Sequence, residues 1–353
     1  MIIESIALKN FRRFKEATFQ FGNGFNVLVG KNGTGKTTIL ESIYILSTGR
    51  SFVTNTLQNC LNLSEDYFLI EGKFKDKVDT KTLSFLLRKE KKEIYLNKDK
   101  VKKLSQIIGK FPVVITDYSL VELVKEGPAK RRDFINHVLI FTDKDYYSDI
   151  LKYYAYLEKR NSCLKSGNFT NDLIMFLSQE MYDYGVKIRD KRAHIVEDFN
   201  GRISDIFNLV FGRQLDVTLE YIPSDLKKLL DPSVVKDEIS KKRTIYGIHL
   251  DEFELYANGV NLRTVTSLGE AESIGFILKL IETELIERYL GEVPILLLDD
   301  FFSHLDTAKR EKILNMISHL QVILTAINLD DVTKNVLDKA TLINLEGLED
   351  EAS

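Results

Sequence analysis

Cysteine is nearly missing from this chain: Cys60 and Cys163 are the only two in 353 residues. They lie far apart and match no metal-ligand spacing, so they read as reduced core thiols of a cytoplasmic protein rather than as a disulfide or metal site. Also missing is any apolar run near the ~20 residues that a bilayer-spanning helix needs. Met1-Ile2-Ile3-Glu4 brings a charge too early for a signal peptide, and no cleavage site follows, so none is expected. Nor does one sign of charge dominate. A net charge of −3 gives no general attraction to nucleic acid, so any DNA contact must come from a local patch. With 44% hydrophobic residues the chain can bury a sizeable core, and its length suits two domains or one large elaborated one.

What the sequence does contain is organised around residues 26–43, NVLVGKNGTGKTTILESI. An apolar run enters a glycine-rich loop, and a helix-forming segment leaves it. Gly30, Gly35, Lys36 and Thr37 fit the phosphate-loop pattern G-x-x-x-x-G-K-[ST]. Phosphates call for this layout because several backbone N–H groups must point inward, which a glycine-rich turn allows. The following helix adds its positive N-terminal end. The expected nucleotide-binding residues are Gly30, Lys31, Asn32, Gly33, Thr34, Gly35, Lys36, Thr37 and Thr38. Lys36 is assigned to the outer phosphates and Thr37 to a Mg²⁺ ion. The plainer alternative is a strand, a turn and a helix with one exposed lysine.

Before the loop, strand-like alternation covers IIESIALKNF, EATFQF and FNVLVG, with Gly22-Asn23-Gly24 as a turn. After it, residues 38–46 form a helix ending near Gly49. Residues 67–74, 81–88 and 93–96 suit an antiparallel sheet, with Asn97-Lys98-Asp99 turning the last strand back. Residues 111–116 suit a buried strand, because Pro112 stands only at its start. From Asp143 the chain is helical, with Tyr147, Ile150, Leu151, Tyr154 and Leu157 on one face. Ser166-Gly167-Asn168 breaks this helix. A return helix carries Leu173, Leu177, Met181, Tyr184, Ile188, Ile195, Phe199, Ile203 and Phe207 at helical spacing. Together they predict an antiparallel arm of ~30 Å or more, its apolar stripe packed between the two helices. Strands follow at 215–221 and 253–256. A long amphipathic helix is expected over 266–290, and buried strands over 293–298, 322–326 and 341–345.

The strand ILLL at 295–298 ends in Asp299-Asp300. A buried parallel strand delivers its C-terminal end to the ligand crevice. There Asp299 could complete a Mg²⁺ shell, and Asp300 could polarise an attacking water. The alternative is a pair of carboxylates capping the next helix. About 260 residues separate Lys36 from Asp299, a gap that fits an ATPase head whose two halves flank an inserted arm.

Residue by residue, the chain resembles an ABC-type head of the SMC kind and, within that class, the RecF family of bacterial DNA repair and replication proteins. The family's L-x-N-F-R appears as Leu8-Lys9-Asn10-Phe11-Arg12; its L-N-x-K-x-V-K-K-L falls at 96–104 with Asp99 in place of the first lysine, and its G-x-P-x-x-R-R at 127–132 with Gly127 and Pro128 adjacent. The arm's R-N is Arg160-Asn161, and LLLDD-x-x-S-x-L-D covers 296–306. The resemblance implies an α/β fold: an ABC/SMC-type P-loop head with a mixed sheet, built from residues 1–116 and 245–353. An antiparallel helical arm domain at 117–244 is inserted into it. It further implies that ATP is shared between the phosphate loop of one subunit and a signature loop of another. That loop, usually S-Q-G-Q and a basic residue, is here Ser267-Leu268-Gly269-Glu270-Ala271-Glu272.

Ser267, Gly269, Asp306 and, in cis, Arg12 are carried over as nucleotide contacts. Arg12 could also be a surface arginine beside Arg13. Both glutamines are lost from the loop, and the usual P-H-R-D is altered to Ile248-His249-Leu250-Asp251. A carboxylate facing a triphosphate is costly in a dry interface, so hydrolysis is affected more than binding. Also implied are ATP and Mg²⁺ as cofactors and an ATP-dependent homodimer with weak ATPase. The implied partners are duplex and single-stranded DNA near gaps, with RecO and RecR helping to load recombinase after DNA damage and in the SOS response. Basic residues cluster at 88–103, where eight stand against three acidic, and at Lys130-Arg131-Arg132 and Lys241-Lys242-Arg243. Two other readings are a nucleotide-gated scaffold that hardly turns over and the nucleotide-binding subunit of an ABC transporter. The arm speaks against the transporter.

Overall fold

Alternating apolar residues set the first sheet. Ile2–Phe11 (β1), Phe14–Gln20 (β2), Tyr67–Lys75 (β4), Thr80–Arg88 (β5), Lys91–Leu96 (β6) and Asp99–Lys100 (β7) pair in the order β2-β1-β4-β5-β6-β7, each pair antiparallel. Ile3, Ile6 and Leu8 of β1 and Phe68, Ile70 and Phe74 of β4 line its buried face. Asn97 and Lys98, with φ of 50° and 72°, make the two-residue turn from β6 to β7.

A second sheet is wholly parallel. Phe25–Val29 (β3), Val113–Thr116 (β8), Ile295–Leu298 (β12), Val322–Ala326 (β13) and Thr341–Asn344 (β14) run in the order β14-β3-β13-β12-β8. The head's strands thus form two sheets, one of each sense. The four strands other than the exposed edge strand β14 are short and nearly continuously apolar, as strands covered on both faces must be.

Between the sheets lies the phosphate-loop helix, Lys36–Thr48, which touches β4 and β5 on one side and β8 and β13 on the other. Its burial is almost all-round, so its sequence shows little amphipathic pattern. Gly49, with φ of 70°, ends it by donating its N–H to the Ile45 carbonyl at 2.8 Å. Edge-on contacts of Phe11 with Phe68, and the tilted pair Phe74–Phe111, extend this core.

The structure describes residues 1–102, 106–107, 109–117, 119–212, 214–300 and 307–347. By contact density the chain forms two compact units. The first takes residues 1–120, 209–211 and those from Phe276 on, and the second takes 121–208 and 212–275. Residues 245–275, assigned to the head from sequence, group with the second unit. Glu252–Ala257 (β10) pairs with Val217–Ile222 (β9) there, and Val260–Asn261 (β11) adds a third strand.

In the second unit, helix Tyr146–Ser166 closes on Gly167, and helix Asn171–Phe211 begins with Thr170 accepting from the Leu173 N–H at 3.2 Å. The two run antiparallel: Tyr146 meets Arg192, Asp149 meets Lys191, Tyr156 meets Tyr184 and Arg160 meets Ser178. The buried face of the first helix is not the expected one. It is Tyr146, Ile150, Tyr153, Leu157, Arg160 and Leu164, while Leu151 and Tyr154 are exposed. Leu173 of the return helix is exposed as well. Of the six buried on the first helix, five are apolar or tyrosine; the sixth is Arg160, which apolar periodicity cannot count. Arg160 donates to Glu238 at 2.6 Å, Thr244 at 2.8 Å and Ser178 at 3.0 Å.

Arg192 is likewise buried, donating to Asp251 at 2.6 Å and the Ile248 carbonyl at 2.7 Å. Asp251 also accepts from the Tyr221 hydroxyl at 2.6 Å, so this altered segment anchors the second unit. The Lys130-Arg131-Arg132 cluster is engaged too. Lys130 pairs with Glu122, Arg131 with Glu252, and Arg132 donates to the Asp251 carbonyl.

Helix Leu268–Leu290 differs from expectation as well. From Ala271 to Ile286 it is buried on nearly every side, with Lys279 and Glu282 paired at 2.9 Å, so it is not amphipathic. Ser267 caps it. Its hydroxyl and N–H donate to the Glu270 carboxylate at 3.1 and 3.0 Å, and the Glu270 N–H donates back to the Ser267 oxygen at 3.3 Å. This is a capping box.

Candidate phosphate-binding site

Strand β3 ends at Val29, and the chain then turns through 30–35 into the helix that starts at Lys36. The Gly30 N–H is tied to the Ala326 carbonyl of β13 at 3.3 Å, and Thr34 donates to the Lys31 carbonyl at 2.9 Å. Gly35 has φ of 100°, and a Cβ there would stand 2.5 Å from the Phe14 ring. Only glycine meets both demands.

The Lys36 ammonium folds back onto its own loop, donating to the Gly30 carbonyl at 2.5 Å and the Lys31 carbonyl at 3.0 Å. Burial lowers its pKa, against the pull of Asp300 and Asp299. The Thr37 hydroxyl reaches Asp299 across the sheet, 2.9 Å from Oδ2 and 3.2 Å from Oδ1. Asp299 is raised above its ordinary pKa, chiefly by burial and further by Asp300 and Asp117, although hydrogen bonds from Thr37 and Thr325 oppose the rise.

One residue essential to this arrangement escapes sequence reading. In the parallel sheet, β13 lies between β3 and β12 and carries Thr325. Its hydroxyl donates to Asp299 at 3.0 Å and accepts from the Asp300 N–H at 2.8 Å. The available signal was a single polar residue in the strand VILTA. Asp300 itself has φ of 49°, a left-handed conformation that an aspartate tolerates only at some cost.

Arg12 also holds a positive φ, 52°, and its guanidinium forks onto buried Glu41 of the loop helix at 2.7 and 2.8 Å. Its remaining nitrogen donates to the Asn59 carbonyl at 3.1 Å. The neighbouring Arg13 reaches the Gly33 carbonyl instead. Glu41 further accepts from Ser51 and Cys60. Burial and then the Glu41 charge push the Cys60 thiol up to about 12, Arg12 opposing, so it stays protonated at neutral pH.

Around these groups opens a cleft of about 600 Å³, lined by Arg12, Arg13, Asn32, Gly33, Gly35, Lys36, Thr37, Thr38, Leu61, Leu63 and Asp300. Leu61 and Leu63 give it an apolar wall that no motif announced. A hollow of about 650 Å³ around Phe25, Leu314 and Val336 sits at the other end of β3. It lacks the glycine loop and the paired carboxylates, so chemistry selects the smaller cleft.

The structure therefore gathers residues 30–38, Asp299 and Asp300, with Arg12 at the cleft wall. Ser267 and Gly269 belong to the second unit, and Asp306 lies outside the described residues.

Residues 1–180 match the family model described as an AAA ATPase domain. The DNA replication and repair protein RecF of Clostridium kluyveri is 34% identical over 354 residues, covering 97% of each chain. A solved structure of the recombination mediator protein RecF with ATP, in the RecFOR pathway, superimposes with a TM-score of 0.86. It shares 28% identity and covers 94% of this chain and 93% of that one. An SMC head bound to the C-terminal winged-helix domain of ScpA has a TM-score of 0.51 at 17% identity, covering 92% of this chain and 90% of that one, which shows the shared ABC/SMC-type head fold. With its phosphate loop, its Asp299-Asp300 strand end and a full-length match above 30% identity, this chain belongs to the RecF family of DNA replication and repair ATPases.

Proposed function

We propose that this chain is an ATP-dependent DNA-binding protein of recombinational repair and replication. The carrying observation is the Thr37–Asp299 hydrogen bond at 2.9 Å, which joins the two halves of a phosphate site across 262 residues of sequence. The relative solved with ATP supports the same ligand here. The loop N–H groups and Lys36 bind the phosphates, and Leu61 and Leu63 offer an apolar surface to the base. Thr37 and Asp299 are oxygen donors of the kind Mg²⁺ takes, and the ion would neutralise phosphate charge. Two protein oxygens do not fill a Mg²⁺ shell, and nucleotide phosphate oxygens would supply further donors. Asp300, fixed by Thr325, orients the attacking water. Arg12, through Glu41, positions the loop helix, and Arg13, bonded to the Gly33 carbonyl, lines the same cleft.

Ser267 and Gly269 complete the site of a second subunit, so that ATP bridges a two-fold dimer. Closure on ATP presents basic surfaces to duplex and single-stranded DNA, and RecO- and RecR-type proteins join in the cytoplasm to load recombinase. No helix among the described residues is long and apolar enough to cross a membrane. One observation favours a second reading, a scaffold that binds ATP and hydrolyses it slowly. The Ser267 hydroxyl and N–H are both taken by the Glu270 carboxylate, which must release them before they can meet a phosphate. Sedimentation with and without ATP, Mg²⁺ and duplex DNA tests the proposal. ATP should convert monomer to dimer and tighten DNA binding, by mass action on the closed state. A chain that stays monomeric at micromolar concentration with all three contradicts it, and single-turnover hydrolysis separates the two readings.

A further inference from the structure

The arm carries a surface that the nucleotide site does not use. Lys152, Tyr156 and Lys159 stand at i, i+4 and i+7 on the first arm helix, and so share one face. Glu180, Tyr184 and Lys187 repeat that spacing on the antiparallel return helix. The two tyrosine rings stack across the helix pair, 6.1 Å between centroids and 19° from parallel. Lys152 and Lys187 sit 5.2 and 5.3 Å from the centre of the Tyr184 ring, and Lys159 sits 5.7 Å from that of Tyr156. The Tyr156 hydroxyl bonds to Glu180, the one carboxylate in the set.

The three lysines are exposed and the tyrosines half-buried. Among the described residues none of the three ammonium groups is ion-paired; each rests on an aromatic ring instead. Cation–π contact at an exposed site is worth only about 0.5–1 kcal/mol, so a phosphate displaces it readily. By contrast, Lys100 of the basic hairpin at 88–103 is paired with Glu93, and the cluster at 130–132 is spent on internal partners.

We propose that this face of the arm binds single-stranded DNA, its lysines meeting phosphates and its tyrosines stacking on bases. The inference rests on the DNA-binding reading above and deepens it. Lysines interleaved with aromatic rings over two helical turns, ~10 Å, are the pairing that single strands require. Stacking needs a splayed base, which a duplex does not offer. Local charge complements DNA here although the whole chain is net negative.

The test uses the full chain with ATP and Mg²⁺, a fluorescein-labelled oligo-dT, and a blunt duplex. Lys152→Glu/Lys159→Glu/Lys187→Glu should lose at least ~100-fold in oligo-dT affinity, and its salt slope should fall by about 2, near 0.7 per lysine. ATP affinity and the melting temperature should not change, because all three side chains are exposed. Tyr184→Leu should weaken oligo-dT binding roughly 5- to 100-fold, and Tyr184→Phe should retain it. Duplex binding should change less than oligo-dT binding in each variant. If the parent binds oligo-dT and the triple variant binds it equally, the arm site is wrong while the DNA-binding reading stands. A parent that binds neither DNA overturns both. Polyglutamate competing as well as oligo-dT, with Tyr184→Leu unaffected, assigns the face to an acidic polypeptide and overturns the single-strand proposal.

Discussion

The phosphate-loop cleft and the second unit both bury charge, and they treat it in opposite ways. In the second unit Arg160 and Glu238 meet at 2.6 Å, and so do Arg192 and Asp251, with further hydrogen bonds on each. Burial opposes the Arg192 charge, but Tyr146, Asp251 and Tyr221 outweigh it and hold its pKa above the ordinary range. At Lys36 and Asp299 of the cleft, unlike at its Arg12–Glu41 pair, burial wins. Lys36 is pushed down and Asp299 up, each toward the neutral form, although they share one pocket. Fully compensated charge marks scaffold, and under-compensated charge marks the place where a ligand supplies what is missing.

Three substitutions bear on that contrast. The largest effect falls on Asp300. Asp300→Asn should lower ATP turnover by about 10²- to 10⁴-fold, the usual contribution of a positioned base, without loss of ATP affinity or stability. Turnover equal to the parent's in a steady-state assay removes Asp300 from the chemistry.

Next comes the scaffold. Arg160→Met leaves Glu238 buried and unpaired, which costs about 3–5 kcal/mol. Denaturant melts should show that loss, and Arg160→Met/Glu238→Gln should recover most of it. A single variant as stable as the parent shows the pair to be ornamental.

The smallest of the three concerns His249. Burial lowers its pKa from 6.5 to about 4; its Nδ1 faces the Tyr153 hydroxyl at 2.9 Å and its Nε2 the Thr244 carbonyl at 3.4 Å. Between those two values the unfolded chain holds the proton and the folded chain does not. Its contribution is therefore complete above pH 6.5 and lost as pH falls toward 4, by up to about 3 kcal/mol. Melts from pH 7 to 4 should steepen accordingly, and His249→Asn should flatten that limb. An unchanged limb means another group governs acid unfolding.

The same contrast explains what could be read in advance. The phosphate loop, its helix and the apolar strand ending in Asp299-Asp300 are local patterns, since backbone geometry there demands particular residues in a row. Thr325 and the wall formed by Leu61 and Leu63 are single side chains whose meaning comes from the sheet order. The arm helices were legible as helices, and so was the return helix's inward face, where Leu177, Met181, Ile188, Ile195, Phe199, Ile203 and Phe207 are buried; the first helix's face was legible only at Ile150 and Leu157. Arg160 and Arg192 count as surface in any hydrophobic pattern, and their carboxylate partners lie 78 and 59 residues away. Glu270 was the opposite case. Its capping box with Ser267 spans four residues and was visible in S-x-x-E, yet the family resemblance bears on the lost glutamines instead.

The most direct measurement sets Lys36→Met beside the parent in two assays, Mg·ATP titration and thermal melting without nucleotide. Lys36 is buried and only partly compensated, so its removal should abolish tight ATP binding while leaving the melting temperature the same or higher. The unfolded chain also holds the lysine proton more tightly than the folded one, so any gain should be greater at pH 7 than near pH 10.5. Unchanged ATP affinity in a folded Lys36→Met protein, or a large loss of stability with affinity intact, would contradict the assignment of this cleft to the nucleotide.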